Sequence, residues 1–224
     1  MEGIIILIVT LLAFLAIIIW VVVKVVQGPK LPSGQKFEAV FAGNTAVLIV
    51  DNGIPALKDK NTNEVSGWLL NDGKIVASEL AKKCAIAITA VETAFRQKGV
   101  EKADVNMVVF HYQTDEQFET GNASWWKDWA KNVAAYSVSL SGIFGIKKIP
   151  MAIIRARYLK DTHERGQPNI HELVHILNKA ATGDYSHNHS DPLLWLGPGG
   201  VDSVEGIAVA QWADLVEAFE DENK

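Results

Sequence analysis

The chain opens with an unbroken apolar run. Between residues 3 and 23 nothing is charged, and Thr10 is the only polar side chain. As a helix the run would span about 31 Å, close to the hydrocarbon thickness of a bilayer. Trp20 and Lys24 stand where an interfacial aromatic and a snorkelling cation belong. Signal peptides have a basic start, a shorter apolar core and a small-residue cleavage site. Here Glu2 precedes the run, the core is too long, and Lys24-Val25-Val26-Gln27 is no cleavage site. Residues 1–26 therefore read as a retained transmembrane anchor. Residues 27–36 (QGPKLPSGQK) are polar and rich in Pro and Gly, a linker to one domain over residues 37–224.

Within that domain the pattern alternates between periods. Residues 46–50 (AVLIV) form a short β-branched run ended by Asp51-Asn52-Gly53, a strand and a turn. Residues 58–73 are mostly polar and read as a loop. Residues 74–98 keep helical spacing, with Ile75, Leu80, Ala87, Val91 and Phe95 among the apolar positions. Residues 105–112 (VNMVVFHY) read as a second strand. Over 124–136, Trp125, Trp129 and Val133 recur at helical spacing behind a capping Ser124. Two strands follow, over 137–145 and 150–159. A helix over 169–182 ends at Gly183, and a last amphipathic helix covers 202–219 before an acidic tail. Strands interleaved with helices predict a mixed α/β (α+β) domain.

Composition narrows the function classes. Half of the 224 residues are hydrophobic (49%), too many for a disordered chain. The single cysteine, Cys84, excludes an intramolecular disulfide framework and any multi-thiolate zinc site. The net charge is −5, although Lys24, Lys30 and Lys36 outweigh Glu2 in the first 36 residues. The domain is thus acidic, and no nucleic-acid partner is expected. The lysines behind the apolar run put the domain on the cytoplasmic side by the positive-inside tendency, and the lone thiol agrees. In a virion membrane that tendency gives no simple answer.

Most of the six histidines fall between His171 and His189. The segment starts His171-Glu172-Leu173-Val174-His175, an H-E-x-x-H pattern on a predicted helix. His171 and His175 are about 40° apart around the axis, so both imidazoles project toward one ion. Glu172 is displaced by about 100° from His171, within reach of a water beside that ion. Ile170, Leu173, Val174, Ile176, Leu177, Ala180 and Ala181 cover most of the circumference, which predicts a buried helix. Two histidines and a glutamate in such a helix need partners, and a metal supplies one for all three.

On these residues the chain resembles the zincin metallopeptidases. The resemblance covers the helix well and the preceding strand over 150–159 loosely. It implies a sheet strand beside the helix for an extended substrate, zinc as the cofactor, and Glu172 as general base. Metzincins continue H-x-x-G-x-x-H, where this chain has Asn178 and Ala181, so that branch is excluded. The thermolysin-like branch takes a later glutamate as third ligand, a part open to Glu205. The loop after Gly183 offers Asp184, His187, His189 and Asp191. His189 is the favoured third ligand because its longer return path has more slack; His187, Asp184 and Glu205 are the alternatives.

The remaining features carry less. His111 ends an apolar strand and reads as a core or edge residue. Trp125, Trp126 and Trp129 read as core packing. Gly197-Pro198-Gly199-Gly200 lacks the Lys-Ser/Thr of a phosphate loop and reads as a turn. Cys84 has no nucleophile context. By its position in the chain alone, Tyr185 is a candidate to hydrogen-bond a transition-state oxyanion. The sequence thus predicts a membrane-anchored zinc hydrolase, a peptidase acting on a polypeptide or on peptidoglycan peptide, with the bilayer bound through residues 3–23. The rival reading is a non-enzymatic, membrane-tethered structural or virion assembly protein with a structural metal.

Overall fold

A computed structural model describes residues 35–36, 40–42, 45–52, 54–63, 65–70, 73–102, 104–120, 132–141, 148–182, 189, 191, 193–195 and 200–222. The expected membrane span lies outside these residues. Among the described residues no helix is long and apolar enough to cross a membrane. The chain divides into two compact units, residues 1–31 with 139–149, and residues 32–138 with 150–224. The second holds the candidate site and all of the elements discussed below except the ends of two strands, residues 139–141 and 148–149.

Its main sheet has six strands, and the domain is mixed α/β. The central strands are β3 (Thr45–Asn52), β7 (Met107–Gln113) and β9 (Lys148–Arg155), which run parallel in that order. Two short strands, β1 (Gln35–Lys36) and β2 (Val40–Ala42), pair antiparallel with β3. On the far side β8 (Ala135–Ser141) neighbours β9. The expected linker therefore ends earlier than its composition suggests, since Gln35 and Lys36 pair with Asp51 and Val50. Strand β7 is buried from Val108 to Tyr112, as a central parallel strand covered on both faces must be. By alternation, Val108, Phe110 and Tyr112, with Ala152 and Ile154 of β9, join the helical core, while Val109 and His111 point away from it.

Helix α1 (Ala77–Lys98) lies in that core. Its small residues, Ala81, Ala87, Ala90 and Ala94, are almost fully buried and let neighbours approach closely. Gly99 ends it in the left-handed conformation (φ 63°), and Val100 N donates to the Phe95 carbonyl at 3.1 Å. Helix α5 (Val204–Glu222) packs along α1. Trp212 Nε1 donates to the Lys83 carbonyl at 3.2 Å, and the buried Lys83 ammonium meets Glu220 at 2.8 Å. The acidic end of the chain is thus helical as far as Glu222 and partly neutralised.

Several expectations are corrected. The polar stretch 58–73 is not a loop: β4 (Ala56–Lys58), β5 (Val65–Leu70) and β6 (Gly73–Val76) form a small antiparallel sheet. Gly67 makes it possible, because a Cβ there would run into the Ile75 carbonyl of the facing strand. Residues 74–76 belong to that sheet, so α1 starts at Ala77. The helix expected over 124–136 does not reach Tyr136, which lies in β8 and meets the Phe118 ring edge-on at 5.1 Å. Phe118 sits on an unexpected short helix, α2 (Asp115–Thr120). The strand expected over 150–159 stops at Arg155, followed by a 3₁₀ turn (Ala156–Tyr158) and helix α3 (Leu159–Arg165).

Helix α4 (Asn169–Thr182) follows at once, with the bounds the sequence predicts. Gly166 redirects the chain between the two helices. It is left-handed (φ 71°), and its amide donates to the Thr162 carbonyl. A Cβ there would also stand 2.7 Å from Ile170 Cδ1 and 2.8 Å from the Trp212 ring, so only glycine fits. From Ile170 to Leu177 helix α4 is buried apart from the half-buried His171, as its apolar circumference predicts.

Candidate metal centre

The first residue of α4 is locked in place. Asn169 Nδ2 donates to Cys84 Sγ of α1 at 3.1 Å and to Tyr112 Oη of β7 at 3.0 Å, while its Oδ1 accepts from Thr162 Oγ1 of α3 at 3.4 Å. One buried amide therefore ties four elements together at the start of the helix. Burial pushes the Cys84 thiol up to about 12 and the Tyr112 phenol well above its usual value, so both stay neutral hydrogen-bonding groups. The sequence offers no sign of this network, because its members are far apart in the chain.

Further along the helix, half-buried His171 and buried His175 converge with His189. One ligand nitrogen from each can be chosen so that all three lie within 4.8 Å of one another, an arrangement that could hold a metal ion. His175 Nε2 and His189 Nε2 are 3.1 Å apart. That is close to the ~3.3 Å edge of a tetrahedron with zinc–nitrogen bonds of about 2.0–2.1 Å. The burial is graded: His175 is buried, His171 half-buried and His189 exposed.

Glu205, near the start of α5, bonds the cluster from behind. His171 Nδ1–H donates to Glu205 Oε1 at 3.0 Å, and Gln167 Nε2 reaches the same oxygen at 3.4 Å. The carboxylate fixes the His171 tautomer and leaves the Nε2 lone pair for a ligand role, as carboxylates behind metal-bound histidines do. Burial alone would disfavour a charged His171. The hydrogen bond to Glu205 and the charges of Glu172 and Glu205 outweigh it and raise the pKa above the ordinary value. His189 shifts the other way, held neutral by burial and by the neighbouring His171. The pocket favours one positive charge at His171, which a bound cation supplies as well as a proton does.

Of the loop residues offered by the sequence, the structure brings His189 into the cluster. His187, Asp184 and Tyr185 lie outside the described residues. Asp191 stays out of the cluster and accepts from Leu193 N at 2.9 Å, closing a turn. Trp125, Trp126 and Trp129 are also outside the described residues, and Gly200 opens a 3₁₀ turn (Gly200–Asp202). His111 is buried in β7, apart from the cluster.

One aromatic residue was missed. The Trp195 ring centroid lies 5.0, 4.2 and 4.7 Å from those of His171, His175 and His189. Trp195 N donates to the Asp191 carbonyl at 3.2 Å, and Glu205 N donates to the Leu194 carbonyl at 3.0 Å. The same short segment thus seats both Trp195 and Glu205 against the histidines. The available signal was the apolar Leu193-Leu194-Trp195-Leu196 run in a stretch otherwise made of turn residues.

Beside the cluster lies a cleft of about 370 Å³, within the range of ligand sites. His171, Glu172 and His189 line it, together with Gln167, Pro168, Val133, Ala134 and Ala135. Arg155, at the end of β9, holds the Val133–Ala134 part of that lining: its backbone N donates to the Ala134 carbonyl at 3.1 Å and its Nε to the Val133 carbonyl at 3.0 Å. The guanidinium is buried, but Asp115 and Glu119 each meet it at 3.0 Å and the Phe118 ring lies 4.5 Å below it. Such multiple pairing is what a buried cation requires. Searches for similar proteins add nothing to this geometry: no family model, no curated protein and no solved structure matches the chain.

Proposed function

We propose that the domain is a zinc-dependent hydrolase of the zincin kind, most simply a peptidase. The observation that carries this reading is the convergence of His171, His175 and His189 at the cleft that Glu172 also lines. Three neutral imidazoles suit zinc, and Glu205 bonded to His171 matches the second layer of such sites. A zinc ion held there would polarise a carbonyl and lower the pKa of water toward neutrality.

The chain's own groups supply the rest. Glu172, buried in the helix yet lining the cleft, accepts a proton from the attacking water and returns it to the leaving amine. The wall at Val133–Ala135 carries small side chains at the start of β8, which leaves room for an extended polypeptide or a cell-wall peptide. That His171, Glu172 and His189 face an open cleft favours a catalytic ion over the rival structural metal, which would be saturated by protein ligands. The apolar run over residues 3–23 supports a membrane-anchored enzyme with its domain on the lysine-flanked, cytoplasmic side.

The test is Glu172→Gln. Turnover of a pooled fluorogenic peptide substrate should fall by roughly 10²–10⁴, the range of general acid–base catalysis, with the zinc content unchanged. Unaltered turnover in this variant would exclude Glu172 as the base.

A further inference from the structure

Arg155 is 1% exposed, and its guanidinium is held from two sides. On one side Nη1 donates to Asp115 Oδ1 and to Glu119 Oε1, each at 3.0 Å, and both carboxylates stay open to solvent at 47% and 40% exposure. On the other, Nε donates to the Val133 carbonyl at 3.0 Å, and the backbone N takes the next carbonyl, that of Ala134, at 3.1 Å. A buried ion pair is weak evidence for stability, because an apolar side chain of similar volume often serves the fold as well or better. What the arginine adds is direction. Its own footing is rigid: Arg155 ends β9 in register with Gln113, the last residue of the neighbouring central strand β7. Helix α2 starts two residues after Gln113, behind Thr114, whose Oγ1 accepts from Gln117 N at 3.3 Å. The stretch being held is irregular: residues 132–134 form a turn and a bend, and β8 begins only at Ala135. Val133, Ala134 and Ala135 line the cleft beside His171, Glu172 and His189. Through two consecutive carbonyls, an irregular part of the cleft thus takes its place from the ends of regular strands, the support that a binding site on irregular chain needs.

We propose that Arg155 is a positioning residue of the cleft: its guanidinium, oriented by Asp115 and Glu119, fixes the Val133–Ala135 lining against which a bound peptide rests, and so governs peptide binding without taking part in metal binding. This rests on the hydrolase reading. Arg155 is not itself one of the lining residues and acts through Val133 and Ala134. Lysine cannot take its place. A guanidinium presents its donors in fixed directions, so one group serves the Val133 carbonyl and both carboxylates together, whereas an ammonium is a single point charge on a flexible stem. The charge is the same in both, so exchanging them separates the geometry from the charge.

The test uses the full chain in detergent, loaded with zinc, and two probes. One is a phosphonamidate tripeptide, which binds the metal and is long enough to lie along the lining. The other is acetohydroxamate, which chelates the metal and is too small to depend on the lining. In Arg155→Lys the phosphonamidate should bind about 10–100-fold more weakly, the size expected when a hydrogen bond to a charged group is lost. Zinc and acetohydroxamate affinities should move less than about threefold. With pooled fluorogenic peptides the loss should appear in KM and leave kcat within about threefold, as removal of uniform binding does. Glu119→Gln leaves Asp115 to neutralise the guanidinium and decides the matter if the lysine variant does not fold. There the phosphonamidate should weaken by about two- to fivefold, the worth of a partly exposed ion pair, with the other two affinities unchanged. An unaltered phosphonamidate affinity, or equal weakening of both probes and of zinc, overturns the proposal while leaving the metal site standing. A wild-type chain that takes up no zinc overturns the hydrolase reading and this proposal with it.

Discussion

Helix α4 carries two polar clusters, one at its first residue and one a turn further on, and they are built on opposite principles. Around Asn169 every group is neutral and buried, and the amide, thiol, phenol and threonine hydroxyl are bonded to one another. Around His171 the groups are ionisable, two imidazole nitrogens face each other at 3.1 Å, an indole N–H has no acceptor among the described residues, and a cleft of about 370 Å³ opens beside the histidines. A closed network has nothing left to offer a ligand and contributes position. An open one is incomplete until something binds. The first makes the second useful, because ligand geometry must be held to within about 0.5 Å for a site to work.

The sharpest way to break this comparison is to remove a ligand from the open cluster. His175→Ala and His189→Ala should each abolish stoichiometric zinc binding, with affinity down by three orders of magnitude or more on the order of magnitude expected when a three-ligand site loses one. His187→Ala should have a much smaller effect. Elemental analysis and competition with a zinc chelator would check all three, and an unchanged affinity in His189→Ala would return the third ligand to the candidates in the same loop.

Next in size is Glu205→Gln. As the residue that orients His171 rather than a ligand, its loss should weaken zinc by about 10–100-fold. If this substitution alone releases the metal as completely as His175→Ala, Glu205 is the third ligand and the thermolysin-like arrangement replaces the one drawn above.

The closed cluster should respond in stability instead. Asn169→Leu leaves the Tyr112 and Thr162 hydroxyls without their partner and should cost about 1–3 kcal/mol in urea unfolding of the metal-free chain. Zinc stoichiometry should stay the same. Loss of zinc with no loss of stability would mean that the two clusters are one.

How far the sequence could foresee this contrast follows from what periodicity encodes. It reads local pattern, so helix α4 appears with its observed bounds and His171, Glu172 and His175 with it. His189 was reachable by reasoning about turn geometry and ligand chemistry. Arg155, Asn169 and Trp195 were not, because each matters through partners distant in the chain. The β4–β6 sheet hides in polar sequence since its strands pair around one glycine that admits a facing carbonyl. The Leu159–Arg165 helix hides behind an apolar stretch that begins as strand β9. Cys84 looked inert and is chemically so, yet it accepts a hydrogen bond that positions the helix.

A buried histidine outside both clusters gives the smallest expected effect. His111 Nδ1 lies 3.4 Å from Gln113 Nε2, its Nε2 has no partner among the described residues, and burial pushes its pKa down to about 4. The fold thus prefers the neutral ring. That contribution is complete above the unfolded value near 6.5 and is lost as pH falls toward 4. Between pH 6.5 and 5.5 the loss should be about 1 kcal/mol. His111→Leu should flatten the pH dependence of urea unfolding in that window, and an unchanged slope would place the proton elsewhere.

The central claim, that the three histidines form an open metal centre, is tested most directly by X-ray absorption at the zinc edge of the full chain. The account predicts one zinc per chain with three imidazole nitrogens at about 2.0–2.1 Å and one exchangeable oxygen that a phosphonamidate displaces. A chain that takes up no zinc, or a shell filled by four protein ligands and indifferent to the phosphonamidate, would contradict it.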